Sequence, residues 1–107
     1  MILELASLHI VPGREAGFEA AFAQACRIIA GAPGYLSHQL QRCVEEPGRY
    51  LLLVNWRTLE DHTLGFRQVP EHDEWKRLLH PFYQRPPAVE HYAMVASSGG
   101  PDDGIAI

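Results

Sequence analysis

Apolar and polar positions change their spacing several times along the chain, which predicts an alternation of strands and helices. Residues 2–11 are apolar at both alternating parities, as expected for a strand that is buried on both sides. Residues 35–44 and 49–57 predict a second and a third strand, and the turn Glu46-Pro47-Gly48-Arg49 between them suits type II geometry. Residues 88–96 predict a last strand.

Helical spacing appears between the strands. The first helix is expected to begin near Gly13 and to end before the Pro33-Gly34 pair. Its apolar face recurs at helical spacing and consists of Phe18, Phe22, Ala25 and Ile29. Farther along, a third, short helix is predicted from Glu71 and ends at Pro81.

A second helix is predicted from Leu59 to about Gln68. Thr58 and Asp61 have the spacing of a capping box at its start, and Pro70 interrupts the pattern. One face of such a helix would present Leu59, His62, Thr63 and Phe66. A histidine and a hydroxyl on that face need partners or a cavity, because an unpaired buried polar group costs about 1–3 kcal/mol.

The element order is β-α-β-β-α-(α)-β, which predicts an α+β fold of the ferredoxin-like, split βαβ type. We expect a four-stranded antiparallel sheet with helices on one face. The domain is assigned to residues 1–96, and residues 97–107, rich in glycine and serine, are expected to form a flexible C-terminal tail.

Both faces of the predicted sheet carry apolar side chains. Strand three places Tyr50, Leu52, Val54 and Trp56 on one face and Leu51 and Leu53 on the other. The helices of one chain can cover only one face, and each large apolar side chain left in water forfeits about 1.5–3 kcal/mol. We therefore predict a homodimer that packs sheet against sheet.

Composition and charge restrict the classes of partner. The chain has 107 residues, a size that suits one domain, and its net charge of −4 gives no basic surface for nucleic acid. The apolar N-terminus contains Glu4 and His9 and has no basic lead-in, so we predict neither a signal peptide nor a membrane span. Cys26 and Cys43 form no metal-binding spacing, and the cytoplasm is the expected compartment.

Five short motifs, in order, resemble those of the antibiotic biosynthesis monooxygenase (ABM) family over about residues 1 to 95. They are V-P-G-R-E-x-x-F-E (11–19), P-G-Y (33–35), P-x-x-Y-L-L-L-V-x-W (47–56), H-x-x-x-F (62–66) and E-H-Y (90–92). The resemblance implies a dimeric α+β barrel with a pocket between sheet and helices in each subunit. It also implies several activities, since the family includes cofactor-independent oxygenases of anthrones and quinols, haem-degrading oxygenases and proteins of other activity.

The haem-degrading branch is recognised by an asparagine, a tryptophan and an iron-ligating histidine. Alignment on the resemblance places Ala6 at the asparagine position and Gly65 at the tryptophan position, while His80 is only near the histidine position. Two of the three signature residues are therefore absent, which counts against haem degradation.

His62 is the first candidate for a catalytic base, because it should face the sheet at the expected pocket. The structural alternative is a core histidine satisfied by a backbone carbonyl or by Tyr35, Tyr50 or Tyr92. His80 and Tyr92 are the further catalytic candidates. The candidates for substrate binding are the residues predicted around the same pocket: Asn55, Trp56, Thr63, Phe66, Trp75, Phe82 and His91.

These residues suit oxygenation of a small aromatic substrate, such as a quinol or an anthrone, without a cofactor. The protein would supply an apolar slot, a proton acceptor and a donor for the developing oxyanion. The alternative is a protein of the same fold that binds or isomerises a small hydrophobic molecule without oxygen chemistry. No metal site is expected, because the histidines show no H-E-x-x-H or H-x-H spacing.

Overall fold

The structure, a computed structural model, describes residues 1–99. The strands are β1 (Ile2–His9), β2 (Tyr35–Arg42), β3 (Arg49–Trp56) and β4 (Ala88–Ala93). The longer helices are α1 (Glu15–Ala30) and α2 (Pro70–Leu79). Shorter helical segments are a π-helical turn at Asp61–Gly65 and 3-10 turns at Phe66–Gln68 and His80–Phe82.

The four strands form one antiparallel sheet in the order β2-β3-β1-β4. In the centre of the sheet, Leu5 of β1 lies opposite Leu53 of β3 and Glu90 of β4. Both helices cover the same face, so the predicted α+β, ferredoxin-like architecture is confirmed. The type II turn before β3 is supported by Gly48, whose φ of 83° is accessible mainly to glycine.

The core lies between the helices and one face of the sheet. Even-numbered positions of β1 and β3 supply the sheet side, and all four residues predicted for the apolar face of α1 are buried. The bulkiest side chains in this layer include Trp56, Tyr50 and Phe18, and the Phe18 and Tyr50 rings meet edge to face at 5.0 Å. The site described below occupies one end of this layer.

The segment predicted as a helix over residues 59–68 is not an α-helix. The amide of Phe66 donates to the carbonyls of both Asp61 and His62, which widens the turn, and Gly65 (φ −85°, ψ −87°) leaves helical geometry. Leu59, expected on the buried face, is exposed. His62 and Phe66 remain the buried side chains of the segment.

Pro70 separates the two helical segments as predicted, and α2 begins at Pro70 itself, one residue before its predicted start at Glu71. Val69 before it is extended, and a proline costs nothing at the first helical position because no intrahelical acceptor is available there for its missing amide. β4 ends at Ala93, three residues before its predicted end. The predicted tail, 97–107, lies outside the described residues from position 100 onward, and residues 97–99 are exposed without regular structure.

The second face of the sheet is apolar at its centre. Leu3, Leu5, Leu51 and Leu53 point away from the helices and are only partly buried in the single chain. Within residues 1–99, no helix has the length and apolar character needed to cross a membrane.

Candidate functional site

A cavity of about 190 Å³ lies between the sheet and α2. Its apolar wall is formed by Ala6, Leu8, Ile29, Leu52, Phe66, Trp75, Pro87 and Val89. Its polar lining is formed by Glu4, His62, Arg67, His72, Lys76, His80 and Tyr83. An apolar cavity of about 150 Å³ holds benzene, so this one has room for a single substituted aromatic ring.

Glu4 is a carboxylate within the core layer. It lies on the same face of β1 as Ala6 and Leu8 and is only 6% exposed. Its Oε1 accepts a hydrogen bond of 2.9 Å from the indole of Trp56 and lies 3.4 Å from Nε2 of His62. Burial raises the pKa of Glu4, while the Trp56 hydrogen bond and the charge of Arg67 oppose the rise.

His62 extends from the π-helical turn onto Trp56. The two rings stack with centroids 5.3 Å apart, and Nδ1 of His62 lies 2.8 Å from Nε2 of His91 on β4. Burial lowers the pKa of His62 to about 3, and the charges of Arg67, His91 and His72 contribute to the lowering. The imidazole of His62 is therefore neutral near pH 7.

The contacts of His62 determine which of its nitrogens carries the proton. When Glu4 is ionised it can only accept, so Nε2 of His62 carries the proton and Nδ1 is the acceptor. The Nε2–H of His91 then donates to that Nδ1. His91, whose pKa is lowered by burial and by Arg67, is partly exposed, so a series of close contacts runs from the protein surface through His62 to the buried carboxylate.

The mouth of the cavity is lined by basic groups. Burial, followed by the charges of Lys76 and Arg67, lowers the pKa of His72, and burial and Lys76 lower the pKa of His80. The ring of Tyr83 lies 5.1 Å from that of His80, and burial and the charge of Glu4 raise the pKa of the Tyr83 hydroxyl. That hydroxyl is therefore protonated and available as a donor.

The turn that carries His62 is fixed at its start. The amide of Thr58 donates to the Asp61 carboxylate at 3.2 Å, and the amide of Asp61 donates to Thr58 Oγ1 at 3.1 Å, which is the reciprocal capping box expected from the sequence. Gly34, with φ of 83°, packs against the same carboxylate, and a β carbon there would overlap Asp61. The loop before β2 thus holds the turn in position.

Six of the residues proposed for the site from sequence lie at or beside the cavity. His62, Phe66, Trp75 and His80 line it. Trp56 and His91 do not line the cavity, but both contact the lining residue His62. The structural alternative named a backbone carbonyl, Tyr35, Tyr50 or Tyr92 as the partner of His62. In the structure His62 instead contacts Glu4 and His91, while Tyr35 contacts His38 and Tyr50 contacts Glu19.

The other four proposed residues do not line this cavity. Asn55 lies on the opposite face of the sheet and donates to Ser37 Oγ at 3.0 Å. Tyr92, opposite Leu3 on β4, is on that face as well and is 45% exposed. The Thr63 hydroxyl donates to the carbonyl of Leu59 at 3.2 Å, and Phe82 packs edge to face against Phe18.

Glu4, Arg67, His72 and Lys76 line the cavity but were not expected there. A signal for Glu4 was present in the sequence, since it interrupts an otherwise apolar parity of β1 (Ile2, Ala6, Leu8, Ile10). Arg67 and Lys76 gave no comparable signal. Arg67 lies in the 3-10 turn and Lys76 on α2, so their meeting at one cavity depends on how two separate elements pack.

Comparison with known proteins places this geometry in a family. The sequence model of antibiotic biosynthesis monooxygenases matches residues 1–78. YczJ, an uncharacterised protein of Bacillus subtilis (strain 168), is 56% identical over 92 residues, which are 86% of this chain and 97% of YczJ.

Solved structures agree. A Bordetella bronchiseptica protein that carries the family's name superposes with a TM-score of 0.86 at 41% identity, covering 89% of this chain and 97% of its own. A Caulobacter crescentus CB15 protein with the same family name has a TM-score of 0.76 at 24% identity, covering 89% and 90%, and at that identity supports the fold alone. The chain belongs to the antibiotic biosynthesis monooxygenase family.

Proposed function

We propose that the protein is a monooxygenase that uses no cofactor and acts on a small, electron-rich aromatic molecule of the hydroquinone class. The observation that carries the proposal is the buried carboxylate of Glu4 at the wall of a ring-sized cavity. Its Oε1 makes both contacts described above, while Oε2 makes no hydrogen bond within residues 1–99. That oxygen is the proton acceptor for a substrate hydroxyl.

The chemistry balances without an external reductant. Hydroquinone and dioxygen give hydroxybenzoquinone and water. The substrate supplies all four electrons that reduce dioxygen, and one oxygen atom becomes bonded to a ring carbon. Loss of the phenolic proton to Glu4 makes the ring electron-rich enough to transfer electrons to dioxygen. A new carbon–oxygen bond then forms, and the second oxygen atom leaves as water.

This mechanism assigns the base to Glu4 and gives His62 an orienting role. A histidine whose pKa is lowered to about 3 holds a proton poorly near pH 7, whereas a carboxylate with a raised pKa is better matched to a phenol. The Nε2–H of His62 points at Glu4 and orients it, and the contact with His91 holds His62 in the tautomer that does so. Tyr83, protonated and at the cavity wall, stabilises the developing oxyanion.

Oxygen uptake by the purified protein over single-ring hydroquinones tests the proposal. We expect uptake above autoxidation with the wild type and a loss of about 10²-fold or more with Glu4→Gln, which keeps the shape and removes the base. The matched control is Glu90→Gln on the opposite face of the sheet, which should retain wild-type uptake. Wild-type uptake no faster than autoxidation would reject the oxygenase.

The same pair of groups also suits a second function, because a buried carboxylate beside a neutral imidazole can move a proton between two atoms of one substrate. Isomerisation of a small enol or ketone is therefore the alternative. It predicts exchange of a substrate C–H with deuterated solvent under anaerobic conditions, lost in Glu4→Gln. The oxygenase requires no such C–H exchange.

The functional unit that we propose is a homodimer. The apolar centre of the open sheet face, at Leu3, Leu5, Leu51 and Leu53, supports it, since a second copy of the same face would remove these side chains from water. The cavity lies on the helix-covered side of the sheet, so each subunit would keep its own site.

A further inference from the structure

We propose that the natural substrate carries an acidic substituent, a carboxylate or a phosphate-type group, and that Arg67 and Lys76 hold this group at the mouth of the cavity. The inference deepens the proposed function by assigning a substrate class to the same site. It concerns binding, so it can be tested without turnover.

The charge of the lining is opposite to that of the chain. The protein has 13 acidic residues against 9 basic ones, yet among residues 1–99 Glu4 is the only acidic side chain that lines the cavity. Arg67, Lys76, His72 and His80 line it together, and Lys76 is the only lysine in the sequence. Of these four side chains Arg67 and Lys76 are the cations, and apolar walls of low dielectric strengthen the field that they produce.

The cations have few partners of their own. Within residues 1–99, Arg67 makes no ion pair, and Lys76 has one contact, at 3.5 Å, with an Asp73 carboxylate that is 81% exposed and therefore weakly held. Arg67 and Lys76 also contribute to the lowered pKa of His72, after burial, so the fields of both cations reach the same lining side chain. An anion at the mouth would therefore interact with both of them.

The positions of the lining residues define how the substrate is oriented in the cavity. The ring occupies the apolar part, between Leu52 of the sheet and Trp75 of α2, and its hydroxyl faces Glu4. The acidic substituent extends toward Arg67 and Lys76, where it is partly solvated. A neutral hydroquinone would fill the ring site and leave the basic mouth unused.

Calorimetric titration with non-oxidisable ligands tests the inference. Benzoate and benzamide have nearly the same shape and differ in charge, so their ratio of dissociation constants isolates the contribution of the anion. We expect benzoate to bind about three- to tenfold more tightly at low salt, the range for a partly exposed ion pair. The preference should fall with added salt. Phenylphosphonate, in parallel, distinguishes a phosphate-type group from a carboxylate by which of the two binds more tightly.

The variants are Arg67→Gln, Lys76→Gln and the double substitution, with Arg77→Gln as the matched control. Arg77 is exposed on α2, pairs with Glu74 and does not line the cavity. The preference should shrink in each single variant, disappear in the double variant and persist in Arg77→Gln. Thermal unfolding of each variant, expected to match the wild type because these side chains are at the surface, verifies the fold.

Equal binding of benzoate and benzamide, no binding of either, or a preference that survives the double substitution would overturn the inference. Hydroquinone uptake distinguishes this failure from failure of the proposed function. Uptake with no charge preference rejects the acidic substituent alone. A charge preference without uptake retains the acidic ligand and rejects the oxygenase.

Discussion

Glu4 and His62 are two ionisable side chains in a layer otherwise composed of apolar and aromatic groups. Neither lacks a partner, because Trp56, His62 and His91 form a connected set of contacts around the carboxylate. Such a set is stable when every member is satisfied, and it loses stability sharply when one member is removed. The sequence predicted that His62 faces inward. The register that places Glu4 beside it could not be read from residues so far apart along the chain.

Stability should depend on pH through His62. Between its unfolded pKa of 6.5 and its folded value of about 3, the unfolded chain binds a proton that the folded chain does not. Stability therefore falls as pH falls through this window. His62→Gln should make the slope shallower, although the lowered pKa values of His72, His80 and His91 leave some of it.

Urea unfolding at several pH values between 7 and 4 measures that slope. Glu4 acts in the opposite direction, since its raised pKa makes stability fall as pH rises above 4.5, and it does so in wild type and variant alike. His9→Gln, a change on the other face of β1, should keep the wild-type slope. Equal slopes for wild type and His62→Gln would contradict the assignment of a neutral, buried His62.

Trp56→Phe should shift the pH dependence of catalysis. Burial raises the pKa of Glu4 and the indole hydrogen bond lowers it, so removal of the indole donor should raise this pKa further. The proposed mechanism needs the ionised carboxylate, and the acid limb of kcat/KM should therefore move to higher pH. An acid limb at the wild-type position would show that Glu4 is not the group that titrates.

At the level of elements, the sequence predicted the strands, α1 and the capping box of Thr58 and Asp61. It did not predict the π-helical turn, because the apolar spacing at His62 and Phe66 suits an α-helix equally well. The widened turn depends on tertiary contacts, among them the packing of Gly34 against Asp61. Phe66, directly after this turn, packs against His72 and Trp75 of α2. The sequence did not predict that packing, and so it did not predict most of the basic lining.

Gly34→Ala should therefore affect both stability and the site. Gly34 and Gly13 both have φ above 80°, but a β carbon at Gly13 meets no atom within 4 Å, whereas at Gly34 it overlaps Asp61. We expect Gly13→Ala to cost about 1 kcal/mol of backbone strain, and Gly34→Ala clearly more, about 2–4 kcal/mol, with weaker ligand binding. Urea unfolding of the two variants provides the comparison. Equal losses would show that the contact with Asp61 does not hold the turn.

At the level of the whole molecule, the single chain leaves one face of its sheet incompletely covered. Apolar residues at both odd and even positions of β1 and β3 predicted that the second face of the sheet is apolar. The structure locates the centre of that face at the Leu5–Leu53 pair. Sequence alone could predict an apolar second face because strand parity depends on local geometry only. The cavity depends on how three separate segments meet, which local geometry does not determine.

Leu53→Glu should convert the proposed dimer to a monomer, because each subunit would bury one carboxylate without a partner in the apolar interface. Leu64→Glu is the matched control, since Leu64 is 68% exposed on the π-helical turn and away from the open face. Sedimentation velocity distinguishes the two masses. A wild-type monomer at micromolar concentration would reject the dimer.

Incorporation of ¹⁸O from ¹⁸O₂ into a hydroquinone substrate is the most direct test of the central claim, the oxygenase chemistry at Glu4. We expect a hydroxyquinone with one ¹⁸O atom bonded to a ring carbon, formed faster than without protein and reduced to background by Glu4→Gln. Product should be reduced promptly, before its carbonyl oxygens exchange with water, and quantified by mass spectrometry. Unlabelled product, or labelling that Glu4→Gln leaves unchanged, would contradict the account.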